Sequence, residues 1–352
     1  MAARQLTSIQ VLRGLAALGV VIGHLWQIEV RFLGDELSSS TFLIGFAGVD
    51  LFFVLSGFVM VHVTRDFVPG PRNNAYFLYK RITRIYPPYW VFTALMLLAI
   101  FLGPNTSGEP FDPSVLPPSL LLLPQAKLPV LAVGWTLVHE MYFYLVFTAL
   151  LFLPRHWLIP ALAAWLGVIV AGTYFGLLRQ NPTTILLLNP LTVEFLLGAA
   201  IAYFQPRLPG WASLAAIGAG ILGLAATAIT LYPFAIETFP AYWTRLLVFG
   251  LPVTLIVLGT VQFEPETPSP LYQALVKLGD WSYSLYLGHL IFLAAGAYIW
   301  NLLIPDIGWI DNLAMMVLGV AGCIIAAGLT YTFIEQPLLA ATRRLGHRLF
   351  RN

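Results

Sequence analysis

Residues 8–29 read SIQVLRGLAALGVVIGHLWQIE, a largely apolar segment with few polar side chains. A helix that crosses a bilayer needs about 20 consecutive, mainly apolar residues, so this segment predicts a transmembrane helix. Nine similar runs follow, at 43–64, 83–103, 134–153, 157–178, 185–204, 211–232, 243–262, 281–303 and 312–334. They lack the strict alternation of barrel strands. The sequence therefore predicts an all-α polytopic integral membrane protein with about ten transmembrane helices.

The composition of the whole chain agrees with this fold class. Of 352 residues, 59% are hydrophobic and only 10% are charged, against about 25% charged in a soluble domain. A soluble or disordered chain is therefore excluded. The net charge of +2 and the lack of a basic run speak against a nucleic-acid partner. The single cysteine excludes an internal disulfide, and the scattered histidines predict no metal site.

The distribution of Lys and Arg predicts the orientation in the membrane. With a cytoplasmic N-terminus and ten spans, thirteen of these residues lie inside and four lie outside, the four being Arg31, Lys127, Arg179 and Arg245. Positive residues favour the cytoplasmic side, so both termini are predicted to be cytoplasmic. We expect one membrane-embedded domain over 1–341 and a short basic cytoplasmic tail over 342–352.

Charged residues at membrane depth are candidates for function because they are costly to bury there. Arg13 and His24 in the first span are eleven residues apart, which is three helical turns plus about 20°. Both therefore project from one face, about 16 Å apart along the axis. An always-charged anion binder then lies near the cytoplasmic end, and a titratable imidazole lies in the outer half.

Counting along the other spans sorts the remaining candidates into two layers. Asp50, Glu140 and Glu194 fall in the outer layer with His24, whereas His289 falls in the inner layer with Arg13. Arg81 and Arg84, at the start of the third span, complete the inner layer. Such layers suit a protein whose two ligands arrive from opposite sides. Structural readings remain open: Arg81 and Arg84 as ordinary positive-inside anchors, and Asp50, His139 and Glu194 as interhelical partners.

Six segments resemble the signature of the integral-membrane acyltransferase type 3 family. In order, they are QVLRGLAALGVVIGH (10–24), GVDLFFVLSGF (48–58), RITRIYP (81–87), WTLVHEMYFY (135–144), SYSLYLGH (282–289) and EQP (335–337). Thr136 stands where the family usually has Ser, which leaves the geometry of that hydroxyl open. The resemblance covers essentially the whole chain and is closest to the O-acetyltransferases of exopolysaccharides and other surface glycans.

The resemblance implies transfer of an acyl group, by default acetyl, from cytoplasmic acyl-CoA to a hydroxyl of an extracytoplasmic glycan such as exopolysaccharide or O-antigen. It also implies a multi-pass protein of the inner (plasma) membrane with no permanently bound cofactor. We expect His24 to be the general base, with Glu140 or Asp50 orienting its ring. An acyl-histidine intermediate is the other possibility. The oligomeric state stays open.

The residues expected to bind acyl-CoA are Arg13, Arg81, Arg84, His289 and Ser56. The arginines suit the phosphates of the coenzyme, because guanidinium groups form charge-assisted bonds with phosphate. Ser56 is a poor nucleophile candidate because no base lies beside it in the sequence. The alternative functions are a transporter or exporter of a small anion or glycan precursor, and a scaffold for glycan-assembly enzymes. No internal repeat typical of transporters is visible.

Overall fold

The computed structural model describes residues 6–34, 37–102, 111–177, 181–230, 242–304 and 308–350, which contain helices and no strands. The helices are α1 (Thr7–Phe32), α2 (Ala47–Val63), α3 (Pro71–Leu102), α4 (Leu116–Leu120), α5 (Gly134–Leu150), α6 (Leu158–Tyr174), α7 (Pro182–Leu187), α8 (Thr192–Phe204), α9 (Gly210–Thr230), α10 (Tyr242–Arg245), α11 (Leu251–Thr260), α12 (Pro270–Leu303), α13 (Trp309–Thr330) and α14 (Gln336–Leu349).

Nine helical segments within the described ranges are long and apolar enough to cross a membrane. The predicted all-α polytopic class is thereby confirmed. The predicted fourth span is present as α5 with 17 residues, about 26 Å at 1.5 Å per residue. This length is at the lower limit for a span. The side of the membrane on which each terminus lies stays a prediction, because it depends on whether α5 crosses.

Two helices begin well before the apolar runs that predicted them. The helix predicted from residue 83 begins at Pro71, and the helix predicted from residue 281 begins at Pro270. At α12, the Ser269 side chain accepts a hydrogen bond from Tyr272 N, and Pro270 occupies the first turn. Both features favour a helix start. Hydropathy alone therefore marks where these helices become apolar and misses where they begin.

The described residues form two compact units, one from Met1–Arg65 with Val193–Gly328 and one from Asp66–Thr192 with Leu329–Asn352. In the first unit, α1 and α12 run parallel in close contact. A Cβ added to Gly279 would lie 2.0 Å from the carbonyl oxygen of Gln10, and one added to Gly14 would lie 2.9 Å from Gly279 N. Such close approach of two backbones requires small residues.

Two carboxylates hold the ends of α1. Glu264 accepts hydrogen bonds from the backbone N–H and the hydroxyl of both Thr7 and Ser8, at 2.6–3.1 Å. Towards the other end, the fully buried Glu29 accepts from Ser38 N and from Asn312 Nδ2, each at 2.9 Å. The first N–H groups of a helix have no hydrogen-bond acceptor within that helix. The carboxylate of Glu264 is the acceptor for those of Thr7 and Ser8. The helix that carries Arg13 and His24 is thus fixed at both ends.

In the second unit, α14 packs on the N-terminal half of α3. The Tyr79 hydroxyl donates to the carbonyl oxygen of Thr342 at 2.8 Å. A Cβ added to Gly346 would lie 2.6 Å from a ring carbon of Tyr79. The Phe350 ring centroid lies 5.6 Å from that of Tyr79. Residues 342–349, expected to lie in a short tail, therefore belong to a helix that contacts α3.

Candidate active site

The imidazole of His24 is held by a hydrogen bond within its own helix. Its Nδ1 lies 2.9 Å from the carbonyl oxygen of Val20. A carbonyl oxygen can only accept, so Nδ1 carries the proton and donates it. In the neutral imidazole, Nε2 then keeps its lone pair. The half-buried ring is thus held in the tautomer that can accept a proton at Nε2.

His289 of α12 lies beside His24, with ring centroids 4.9 Å apart. Its Nδ1 lies 2.7 Å from the carbonyl oxygen of Tyr286, which gives it the same tautomer. The side chain is fully buried, and Nε2 has no hydrogen-bond partner among the described residues. The predicted place of His289 in an inner layer with Arg13 is wrong. The parallel pairing of α1 with α12 brings it level with His24 instead.

Aromatic rings surround the two histidines. The Phe46 ring packs edge to face on His24 with centroids 4.7 Å apart. The Tyr286 ring lies 5.9 Å from His289 and 5.7 Å from Phe52. The polar functions in this part of the first unit are thus set among apolar surfaces, which can limit the access of water to a reacting group.

A buried ion pair between Arg245 and Asp50 lies next to Phe46, one of these aromatic residues. Arg245 donates from Nε and from a terminal nitrogen to the two carboxylate oxygens of Asp50, both at 2.8 Å. The same guanidinium contacts the carbonyl oxygen of Phe46 at 3.4 Å. Asp50 is fully buried, and Arg245 is only 2% exposed. The count that placed Arg245 among the outer-loop cations is therefore wrong: α10 directs it into the bundle.

Asp50 does not orient His24 as predicted. Both of its oxygens bind Arg245, and the orienting hydrogen bond on His24 comes from the Val20 carbonyl. Glu194 is fully buried beside this pair, and neither of its oxygens has a hydrogen-bond partner among the described residues. The three groups form a cluster of one cation and two carboxyl groups. Sequence reasoning missed Arg245 in this cluster, although its position inside the apolar run 243–262 was a usable signal.

Glu140 lies in the second unit, in a chain of contacts that includes Arg81. The Tyr144 hydroxyl donates a very short hydrogen bond to Glu140 Oε1. The Arg81 guanidinium lies 6.0 Å from the Tyr144 ring centroid and 5.3 Å from that of Phe77. The predicted separation of Arg81 and Glu140 into inner and outer layers is therefore wrong. Because α3 begins at Pro71, Arg81 lies well inside the helix rather than at its start.

A cavity of about 200 Å³ opens in the second unit between α3 and α14. Four cationic side chains line it: Lys80, Arg81, Arg84 and Arg343. Arg84 also lies 2.9 Å from the buried carboxylate of Glu335. Two of the three arginines predicted to bind acyl-CoA, Arg81 and Arg84, are thus brought together at one concave, positively charged surface. Sequence reasoning missed Lys80 and Arg343, since Arg343 is distant in sequence and was placed in a tail.

The other two predicted ligand-binding residues lie in the first unit. Arg13 is half-buried in α1, three turns before His24 on a continuous helix, and Ser56 is half-buried in α2. Their expected roles in binding acyl-CoA stay predictions. Within the described ranges, no group of three or more His, Cys, Asp or Glu side chains could hold a metal ion.

His24 of the first unit can accept a proton from a hydroxyl, and the basic cavity of the second unit can bind a phosphate. Comparison with known proteins gives the same class of chemistry. The model of the acyltransferase 3 family, described as an acyltransferase domain, matches residues 6–331. The chain belongs to this family. It is an acyltransferase for groups other than aminoacyl groups, it has an acyl donor as co-substrate, and it is a multi-pass membrane protein.

Individual relatives extend over nearly the whole chain. The exopolysaccharide production protein ExoZ of Rhizobium meliloti (strain 1021) is 30% identical over 338 residues, 89% of this chain and 95% of the relative. Acyltransferase MdmB of Streptomyces mycarofaciens is 27% identical over 384 residues, 98% and 93% of the two chains. Nodulation protein 10 of Rhizobium leguminosarum bv. viciae is 27% identical over 381 residues, 94% and 93%. The family match and these relatives confirm the resemblance to surface-glycan acetyltransferases. No solved structure matches.

Proposed function

We propose that the protein is an O-acetyltransferase of the inner membrane that moves an acetyl group from cytoplasmic acetyl-CoA to a hydroxyl of an extracytoplasmic glycan, such as exopolysaccharide or O-antigen. The observation that carries this proposal is the state of His24. In a chain of the acyltransferase 3 family, its ring presents an unprotonated Nε2 while Nδ1 is held by Val20. A base of this kind suits a reaction in which a hydroxyl must lose its proton.

In the direct route, Nε2 of His24 removes the proton from the acceptor hydroxyl. The oxygen attacks the carbonyl carbon of the thioester, the carbon–sulfur bond breaks, and the thiolate of CoA takes the proton from the imidazolium. General-base catalysis of this kind contributes about 10²–10⁴-fold to a rate. His289, with its ring 4.9 Å from His24, would then lie beside the thioester rather than beside the phosphates of the coenzyme.

In the alternative route, Nε2 of His24 attacks the thioester carbonyl itself and expels the CoA thiolate. The glycan hydroxyl then attacks the acyl carbon, the bond from that carbon to Nε2 breaks, and the hydroxyl proton passes to Nε2 and from there to the CoA thiolate. The two routes differ in one measurable respect. An acyl-histidine enzyme releases a stoichiometric burst of CoA when no acceptor is present, whereas direct transfer releases none.

The proposed donor is supported by the second unit. Arg81 and Arg84 lie at the basic cavity, and guanidinium groups bind phosphates by paired, charge-assisted hydrogen bonds. Asp50, held by Arg245, is proposed to stabilise charge near His24 rather than to touch it. Glu140, held by Tyr144 near Arg81, stays a proposed catalytic residue. The proposed acceptor is supported by the relative named for exopolysaccharide production.

The test is acyl transfer in membranes that contain the protein and its host's glycans. We expect label from acetyl-CoA, carried in the acetyl group, to enter the glycan fraction as alkali-labile ester. Membranes without the protein serve as the control. Release of label as acetate only, with none in a glycan ester, would contradict the proposed acceptor. Label transfer from another acyl-CoA but never from acetyl-CoA would contradict the proposed acyl group.

A further inference from the structure

The basic cavity between α3 and α14 has the character of a binding site rather than of a set of membrane anchors. Lysines and arginines that anchor a helix extend separately towards the membrane surface. Here Lys80, Arg81 and Arg84 of α3 and Arg343 of α14 converge on one concavity of about 200 Å³. Nε of Arg81 is buried without a hydrogen-bond partner among the described residues.

The position of Arg343 at this cavity is fixed by contacts of its neighbours in α14. The carbonyl oxygen of Thr342 accepts a hydrogen bond from the Tyr79 hydroxyl at 2.8 Å. Gly346, one turn later, packs so closely on the Tyr79 ring that a Cβ would lie 2.6 Å from a ring carbon. The chain after residue 341 therefore contributes a wall of the cavity.

The charge at the cavity is only partly balanced by the protein around it. Arg84 has the carboxylate of Glu335 at 2.9 Å. In the part of the chain that the structure describes, no carboxylate oxygen lies within 4.0 Å of the charged nitrogens of Lys80, Arg81 or Arg343. Glu140 attracts Arg81 from a greater distance, so a net positive charge remains at the concave surface and attracts an anionic ligand.

The size and the charge together indicate which anion fits. The volume is below the range of about 300–1,000 Å³ that is typical of pockets for whole drug-sized ligands, so it suits a phosphate with its sugar. A phosphate monoester carries close to two negative charges at neutral pH, more than each phosphate of a diphosphate diester. Acyl-CoA has one such group, the 3′-phosphate on its ribose.

We infer that this cavity binds the 3′-phosphate of the acyl donor and that Arg343 of α14 is one of its ligands. The inference rests on the proposed function for the identity of the donor, but the cavity can be tested without catalysis. It assigns to the C-terminal helix a direct part in donor recognition, together with Lys80 and Arg81.

The test is equilibrium binding to the full-length purified protein in nanodiscs of zwitterionic lipid. The probes are adenosine 3′,5′-bisphosphate and adenosine 5′-monophosphate, which differ only in the 3′-phosphate. We expect the wild-type protein to prefer the bisphosphate, and Arg343→Gln to weaken bisphosphate binding about ten-fold, as for loss of one charge-assisted bond. The monophosphate should bind equally to both. Arg344→Gln, which changes an exposed neighbour outside the cavity lining, should behave as wild type.

Equal binding of the two probes by the wild-type protein would overturn the inference, as would an Arg343→Gln variant that binds the bisphosphate normally. A second arm adds anionic lipid to the nanodiscs. If that lipid competes with the bisphosphate and raises the unfolding temperature of wild type but not of Arg343→Gln, the cavity holds a lipid phosphate, and the assignment to the donor is overturned. Selective bisphosphate binding without any acyl transfer would instead count against the proposed function alone.

Discussion

The rings of His24 and His289 pack edge to face with centroids 4.9 Å apart because α1 and α12 run parallel in constant register. Thr7 hydrogen-bonds Tyr272, 265 residues later. The close pair Gly14 and Gly279 has the same separation, and so do the two histidines. The contact of the glycines, about 15 Å along the helices from the histidines at 1.5 Å per residue, therefore sets the geometry at His24.

A side chain at Gly279 is expected to disturb the histidine pair from a distance. In Gly279→Ala the new Cβ would lie 2.0 Å from the carbonyl oxygen of Gln10, so α1 and α12 must move apart. A displacement of about 1 Å at a reacting group can reduce a rate about a hundred-fold, and we expect a fall of that order in kcat/KM for acyl transfer. Gly296→Ala in the same helix is the control, because a Cβ there would have no neighbour within 4 Å. Equal activity of the two variants would show that the contact between Gly14 and Gly279 does not determine the geometry of the histidine pair.

The pair of Asp50 and Arg245 is expected to contribute strongly to folding only while both partners are present. Removing one partner of a buried pair leaves an uncompensated charge and costs about 3–5 kcal/mol. We expect Arg245→Ala, which leaves Asp50 and Glu194 buried without a cation, to be strongly destabilised in chemical unfolding, and Asp50→Ala/Arg245→Ala to be less destabilised than the sum of the two single variants.

The exposed pair of Lys127 and Asp112 is a matched control, because its nitrogen–oxygen distance is also 2.8 Å. Exposed pairs contribute little to stability, so Lys127→Ala should leave the unfolding midpoint unchanged. Strict additivity of the two buried substitutions would mean that Asp50 and Arg245 do not act as a pair.

The hydrogen bonds of Glu264 to the first turn of α1 predict a dependence of stability on pH. Partial burial alone would raise the pKa of this carboxyl, but the hydrogen bonds from Ser8 and Thr7 lower it below its ordinary value of 4.5. The folded state therefore favours the carboxylate. Its stabilising contribution is present above the pKa of the unfolded chain and is lost as the pH falls through the folded-state value.

Glu264→Gln is therefore expected to lower the unfolding temperature at pH 7, since an amide cannot accept all four hydrogen bonds. The difference from wild type should shrink as the pH falls below about 4, where the carboxyl of the unfolded chain is protonated. Glu266→Gln changes an exposed residue of the same loop and serves as the control. A difference that is constant from pH 7 to pH 3.5 would contradict the assigned role of the carboxylate.

The features that were predictable from the sequence are local ones. Apolar runs identify most of the membrane helices, and the eleven-residue spacing places Arg13 and His24 on one continuous helix. The depth of His289 was not predictable in this way, because it was counted from the start of the apolar run, and α12 begins eleven residues earlier, at Pro270.

Pairing between distant segments was also beyond the sequence. Asp50 and Arg245 are 195 residues apart. The position of Arg245 inside the apolar run 243–262 indicates that it is buried, but no local pattern indicates that its partner is Asp50 of α2. The position of Arg343 at the cavity was not predictable either, since a basic stretch near the end of a chain is typical of a cytoplasmic tail. Only the packing of α14 on Tyr79 brings it to the cavity.

The most direct test of the account is transfer of labelled acetyl from acetyl-CoA to glycan by wild type, His24→Gln and His156→Gln. His156 is exposed next to α6 and controls for the loss of a histidine as such. We predict that His24→Gln lowers ester formation by at least about a hundred-fold, as for loss of a general base. It should still bind adenosine 3′,5′-bisphosphate normally, and His156→Gln should match wild type. Full ester formation by a folded His24→Gln protein would contradict the account.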